Sequence, residues 1–165
     1  MKNSFLPIFF AGIWIAFSEF IRNELIFKGF WINHYKAIGL TFKTTPINGV
    51  LWIVWSFFLA FLIYELLKKF SFARTIFLSW LSSFFMMWLT TYNLQVLPLK
   101  LLIFAVPLSL IEILIAGFII KRVINLAEKF PGLVWSNYGI KLFSSINRNG
   151  CSVYMWRYLV QRLFW

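Results

Sequence analysis

The sequence predicts an all-α membrane protein: a bundle of four transmembrane helices, an interfacial segment after the first, and a basic amphipathic C-terminal tail. Three observations carry that. Of 165 residues, 61% are hydrophobic and only 13% charged, against roughly half and a quarter in soluble domains. The apolar residues gather into four runs close to the length of about 20 that crosses a bilayer core. Cations stand between and beyond those runs, as the positive-inside rule distributes them.

The first run covers residues 5–21, at the short end for a span, with Lys2 before it and Arg22 after it. Trp14, Phe17 and Phe20 are bulky where signal cleavage needs small side chains, so a retained helix is expected. Residues 22–45 are mixed. Trp31, Tyr35 and Ile38 recur at helical spacing with Lys28 and Lys36 beside them, which predicts a short helix at the interface, bounded by Gly29 and Gly39.

Thr45-Pro46 opens the second span, residues 47–67, because Thr suits a helix N-cap and Pro the first helical position. Lys68 and Lys69 close it. The third span is expected over 74–97, with a polar far end in Thr90, Thr91, Asn93 and Gln95 and a tight connection at Pro98. The fourth covers 101–120, closed by Lys121 and Arg122, with Pro107 inside it. A transmembrane domain over 1–122 is thus followed by a tail over 123–165. From Ser152 onward, Val153, Trp156, Leu159 and Val160 share a helical face opposite Arg157, Gln161 and Arg162, the pattern of a surface helix.

Five Glu, no Asp and sixteen Lys and Arg give a net charge of +11. Interleaved with apolar runs, this excess reads as attraction to anionic lipid headgroups, not to nucleic acid. Cys151 is the single cysteine and His34 the single histidine, so neither a disulfide nor a His/Cys metal cluster can form within one chain. No glycine-rich phosphate loop is present and no Ser-His-Asp set is possible. No cofactor is expected.

Glu112 is the most informative residue. It lies well inside the fourth span, where an ionised carboxylate costs at least about 2.5 kcal/mol and needs a partner, a proton or water. Ala105, Ser109 and Ala116 share its face and allow another helix to approach. Trp14, Ser56, Ser82 and Ser83 fall at similar depth and are candidate donors. Three readings follow: a hydrogen bond between helices, a proton or substrate site, or an oligomer contact. Glu19 and Arg22, three apart near the end of the first span, form a second candidate pair. With Ser18, Asn23, Asn48, Trp52, Thr91, Asn93 and Lys100 they are expected to line a polar pocket at that end, unless they are merely helix ends meeting water. Glu24–Lys28 and Glu65–Lys68 read as surface pairs.

The small multidrug-resistance transporters are similar in combining four spans with an intramembrane Glu. In that pattern the Glu lies inside the first span of a shorter chain, whereas Glu19 is near the end of its run, so no residue role is carried over. The functional expectation is small-molecule transport or binding through an intramembrane carboxylate, with a homo-oligomer possible. The alternatives are a structural subunit of a membrane complex and a lipid-modifying enzyme. The expected location is a bacterial inner membrane.

Orientation follows from the cations. Eleven fall on the side of the N-terminus, the second loop and the tail, and five on the other, so both termini are expected in the cytoplasm. Reporter fusions after Lys69 and after Arg122 should both register as cytoplasmic, and an external signal from either would reverse the orientation.

Overall fold

The computed structural model describes residues 4–43 and 45–129, and all regular structure among them is helical. Four helices are long and apolar enough to cross a membrane: α1 (Phe5–Ile26), α3 (Pro46–Leu67), α4 (Phe72–Asn93) and α5 (Leu99–Lys129). The short helix α2 (Lys28–Ala37) follows α1 directly. The surface helix expected from Ser152 lies outside the described residues.

Helix boundaries depart from the sequence reading where charge and turn chemistry intervene. α1 runs past position 21 to Ile26, because Arg22 is buried and paired rather than solvated. Its last six residues, Ile21–Ile26, form a π-helical turn. α2 ends where predicted: Gly39 adopts φ 76°, and the Leu40 and Gly39 N–H groups donate back to the carbonyls of Tyr35 and Lys36. That pairing satisfies the last carbonyls of a helix and needs a left-handed residue. Gly29 lies within α2 rather than at its boundary.

α3 begins as expected, with Thr45 extended and Pro46 in the first turn. α4 spans Phe72–Asn93 instead of 74–97, and it too contains a π turn, Leu81–Phe85. It ends early because Gln95 takes φ 58°, and the Val96 and Gln95 N–H groups close the helix onto Thr91 and Tyr92. α5 opens with a 3-10 turn, Leu99–Leu101, keeps Pro107 inside it, and continues beyond 120 through Lys129.

α1 packs mainly against α3 and α5, while α4 closes the ring against the same two. Ile15, Ala60, Ile63, Phe84, Ile113, Ala116 and Ile120 are fully buried at its centre. Two glycines permit close approach. A Cβ on Gly12 would lie 2.6 Å from the Phe57 ring, and one on Gly117 would lie 2.7 Å from Ile76 Cδ1. The outward faces are apolar as well: Phe10, Ile13, Phe17, Val50, Phe58 and Phe118 are exposed. A helix apolar on all sides suits a lipid environment.

At one end of the bundle the cations lean on aromatic rings, Lys68 on Tyr64 at 4.2 Å and Arg74 on Phe70 at 4.8 Å. Stems along apolar surface with charged tips in water are the usual arrangement at a membrane edge. Glu65, bonded to Lys68 at 2.5 Å, holds the Lys68 ammonium above the usual lysine range. Tyr64 also donates to Ser4 at 2.9 Å, which brings the start of α1 to this end.

The close approach of α1 and α3 is open to test. Gly12→Val should lower the thermal midpoint in detergent, as overpacking costs roughly 1–3 kcal/mol. Gly49→Val, where nothing lies within 4 Å, should change it little.

Candidate functional site

Where α1 passes α5, three charged side chains meet in the interior. Glu19, Arg22 and Glu112 are 2%, 6% and 1% exposed. Glu19 and Arg22 stand one turn apart and form a direct ion pair. The other arm of the guanidinium places Nη1 3.1 Å from Glu112 Oε2. One cation therefore serves two carboxylates, one from its own helix and one from its neighbour.

The surroundings hold each member in place. Ser18 donates to Glu112 Oε2 at 2.9 Å, and the Trp14 indole donates to the Glu112 backbone carbonyl at 3.1 Å. Asn23 donates to Glu19 Oε2 at 2.6 Å. The Arg22 guanidinium also lies 4.8 Å above the Phe84 ring of α4. Such a contact is worth about 2 kcal/mol or more when desolvated. Phe84 sits in the π turn of α4 and Arg22 in that of α1. The two wide turns thus meet at one cation, and π turns within helices concentrate at functional sites.

Two atoms of the cluster are left over. Glu112 Oε1 is buried with no hydrogen-bond partner among the described residues, and Arg22 Nη1, though close to Glu112, is not aligned for a hydrogen bond. With all three groups ionised the cluster carries one net negative charge. A proton or a small monovalent cation at the free oxygen would balance it. No group of three or more His, Cys, Asp or Glu able to hold a metal ion occurs among the described residues.

The remaining sequence candidates are dispersed. Ser109 is fully buried but accepts from Trp80 at 2.9 Å and donates to the Val106 carbonyl, so it joins α4 to α5 without touching the carboxylates. Ser83 and Ser82 both donate to the Ser79 carbonyl, local bonds of the kind that satisfy backbone where a span departs from α-helix. Asn48 is exposed and ties the start of α3 to Thr45 and Lys43. Ser56 donates within its own helix to the Trp52 carbonyl. Asn93 and Lys100 line an open cavity of about 1310 Å³ at the Ile26 end of the bundle. A smaller one of about 270 Å³ lies by Leu67 and Lys121 at the opposite end. Glu19, Arg22 and Glu112 line neither.

Sequence reasoning found both carboxylates and the arginine but treated them as separate features. The first span was expected to stop at residue 21, which put Arg22 at its rim and Glu112 deeper in another helix. The role of Phe84 has no signal in the sequence, since a phenylalanine in an apolar run is ordinary. Comparison with known proteins gives no match: no family model, curated protein or solved structure is significantly similar to this chain.

The shared guanidinium makes a clear energetic demand. Arg22→Gln leaves two buried carboxylates without a cation, and breaking a buried pair costs about 3–5 kcal/mol. Its thermal midpoint should fall far more than that of Lys28→Gln, whose pair with Glu24 is exposed and worth about 1 kcal/mol at most. Adding Glu19→Gln to Arg22→Gln should recover part of the loss, the non-additivity expected of groups in one network.

Proposed function

We propose that this multi-pass membrane protein binds or transports a small solute in a step coupled to a proton or small cation, with Glu112 as the group whose charge changes. The observation that carries the proposal is the buried cluster in which two carboxylates share one guanidinium and one carboxylate oxygen is free. Ionisable side chains inside a membrane are costly to maintain and characteristically mark ion or proton pathways. In this reading Arg22 holds Glu19 permanently and Glu112 conditionally. Neutralisation of Glu112 loosens the link between α1 and α5, and loss of the proton or cation restores it.

The same reading takes the membrane to be a bacterial inner membrane, both termini to be cytoplasmic, and the basic tail to rest on anionic headgroups. A homo-oligomer fits the apolar outer faces. A second reading, in which the cluster only clamps α1 to α5 in a structural subunit, is favoured by one observation: Glu112 lines neither cavity.

Substitution separates the two. Glu112→Gln keeps shape and hydrogen bonding but cannot titrate. In liposomes with a trapped pH-sensitive dye, the parent should show proton movement that responds to added solutes or to a sodium or potassium gradient, over about pH 5 to 8. Glu112→Gln should stay folded in detergent, with at most a modest fall in its thermal midpoint, and lose that movement. Unchanged, pH-dependent movement in the variant would remove Glu112 from the mechanism. Absence of any movement in the parent would favour the clamp.

A further inference from the structure

The larger cavity has a chemistry of its own. It opens at the end of the bundle where α1 meets α2 and where α4 turns into α5. Ile26, Phe30, Leu89 and Leu99 give it apolar walls. Among these stand the exposed residues Asn33, Asn93, Gln95 and Lys100, whose side chains make no hydrogen bond or ion pair with any described residue. Among the described residues of the lining, Lys100 carries the one formal charge and none is acidic. His34 adds a ring nitrogen, Nε2, that is buried without a hydrogen-bond partner among the described residues. A few polar groups set among apolar walls are the pattern of a ligand site.

Gln95 supplies an independent observation. It closes α4 at φ 58°, a left-handed position that glycine takes freely and that other residues take only with backbone strain. Gly39 fills the equivalent place at the end of α2. Where α4 ends, the chain instead keeps a residue with a strained backbone whose amide side chain is part of the cavity lining. Strain of this kind gathers at ligand sites.

We propose that this cavity binds an amphipathic anion: an oxyanion, phosphate or carboxylate, attached to an apolar body. Lys100 pairs with the oxyanion, the amides of Asn93, Asn33 and Gln95 and the His34 ring add hydrogen bonds, and the apolar walls take the body. The site is separate from the Glu112 cluster, so it stands whether or not the proposed function does. Two sources supply this chemistry, a bilayer phospholipid with an anionic headgroup and a soluble amphiphile.

The full-length protein in neutral detergent provides the test, with lipid binding read by native mass spectrometry and by thermal shift. Phosphatidylglycerol should bind more tightly than phosphatidylcholine, and Lys100→Glu should weaken it about tenfold, the size of one lost charge-assisted contact. Lys69→Glu, at the other end of the bundle, controls for general attraction of anionic lipid to the basic chain. Gln95→Gly provides a second arm: the ligand-free protein should become more stable, while phosphatidylglycerol binding weakens. If octyl phosphate binds in a Lys100-dependent way and phosphatidylglycerol does not, the ligand is a soluble amphiphile. Binding of both probes unchanged by Lys100→Glu and by Gln95→Gly would overturn the proposal.

Discussion

A guanidinium inside a bilayer persists only where protein supplies what water would, and much of this bundle is arranged around that demand. The positive charge of Arg22 must be met in place. Glu19 meets it from one turn earlier on the same helix, Glu112 from α5, and the face of Phe84 from α4. One side chain thereby joins three of the four spans. α1 packs chiefly on α3 and α5, and the cation adds a direct tie from α1 to α4.

Several features follow from that arrangement. α1 reaches Ile26 because a paired arginine no longer marks the edge of the membrane. Its π turn widens the backbone where Arg22 leaves it, and the turn in α4 does the same where Phe84 arrives. The small residues of α5 act on the same interface. Ala105, Ala116 and Gly117 admit neighbouring helices closely, and Ser109 uses its hydroxyl to fix α4 through Trp80. Close packing without bulky side chains is how helices associate when lipid removes the hydrophobic drive.

The spans were legible in the sequence because hydropathy over about 20 residues reports a solvent rather than a contact. Thr45-Pro46 and Gly39 were legible for a different reason, since each states a backbone conformation by itself. Glu112 and Glu19 stood out because charge in an apolar run is expensive. What stayed hidden was their meeting. That depends on how far α1 continues and on which face each helix turns inward, and both are settled by the pairing itself. The ends of α4 and α5 were misplaced on the same ground. Gln95 gives no sign of a left-handed turn, and Lys121 and Arg122 do not stop a helix whose last turns lie beyond the hydrocarbon.

The charged cluster and the cavity are distinct sites, yet they are neighbours through the backbone. The π turn that carries Arg22 ends at Ile26, which lines the cavity. On α4, Leu89 and Tyr92 of the cavity wall follow within two turns of the π turn that carries Phe84. Both paths from the guanidinium to the cavity therefore run through a π-helical segment, a departure from α-helix that is found where helices kink and at functional sites. A change of charge at Glu112 alters the pull on Arg22, and Arg22 sits in one of those segments and rests on the other. The fold thus places its most constrained charge next to its least regular backbone, one turn from the place where an amphipathic anion would sit.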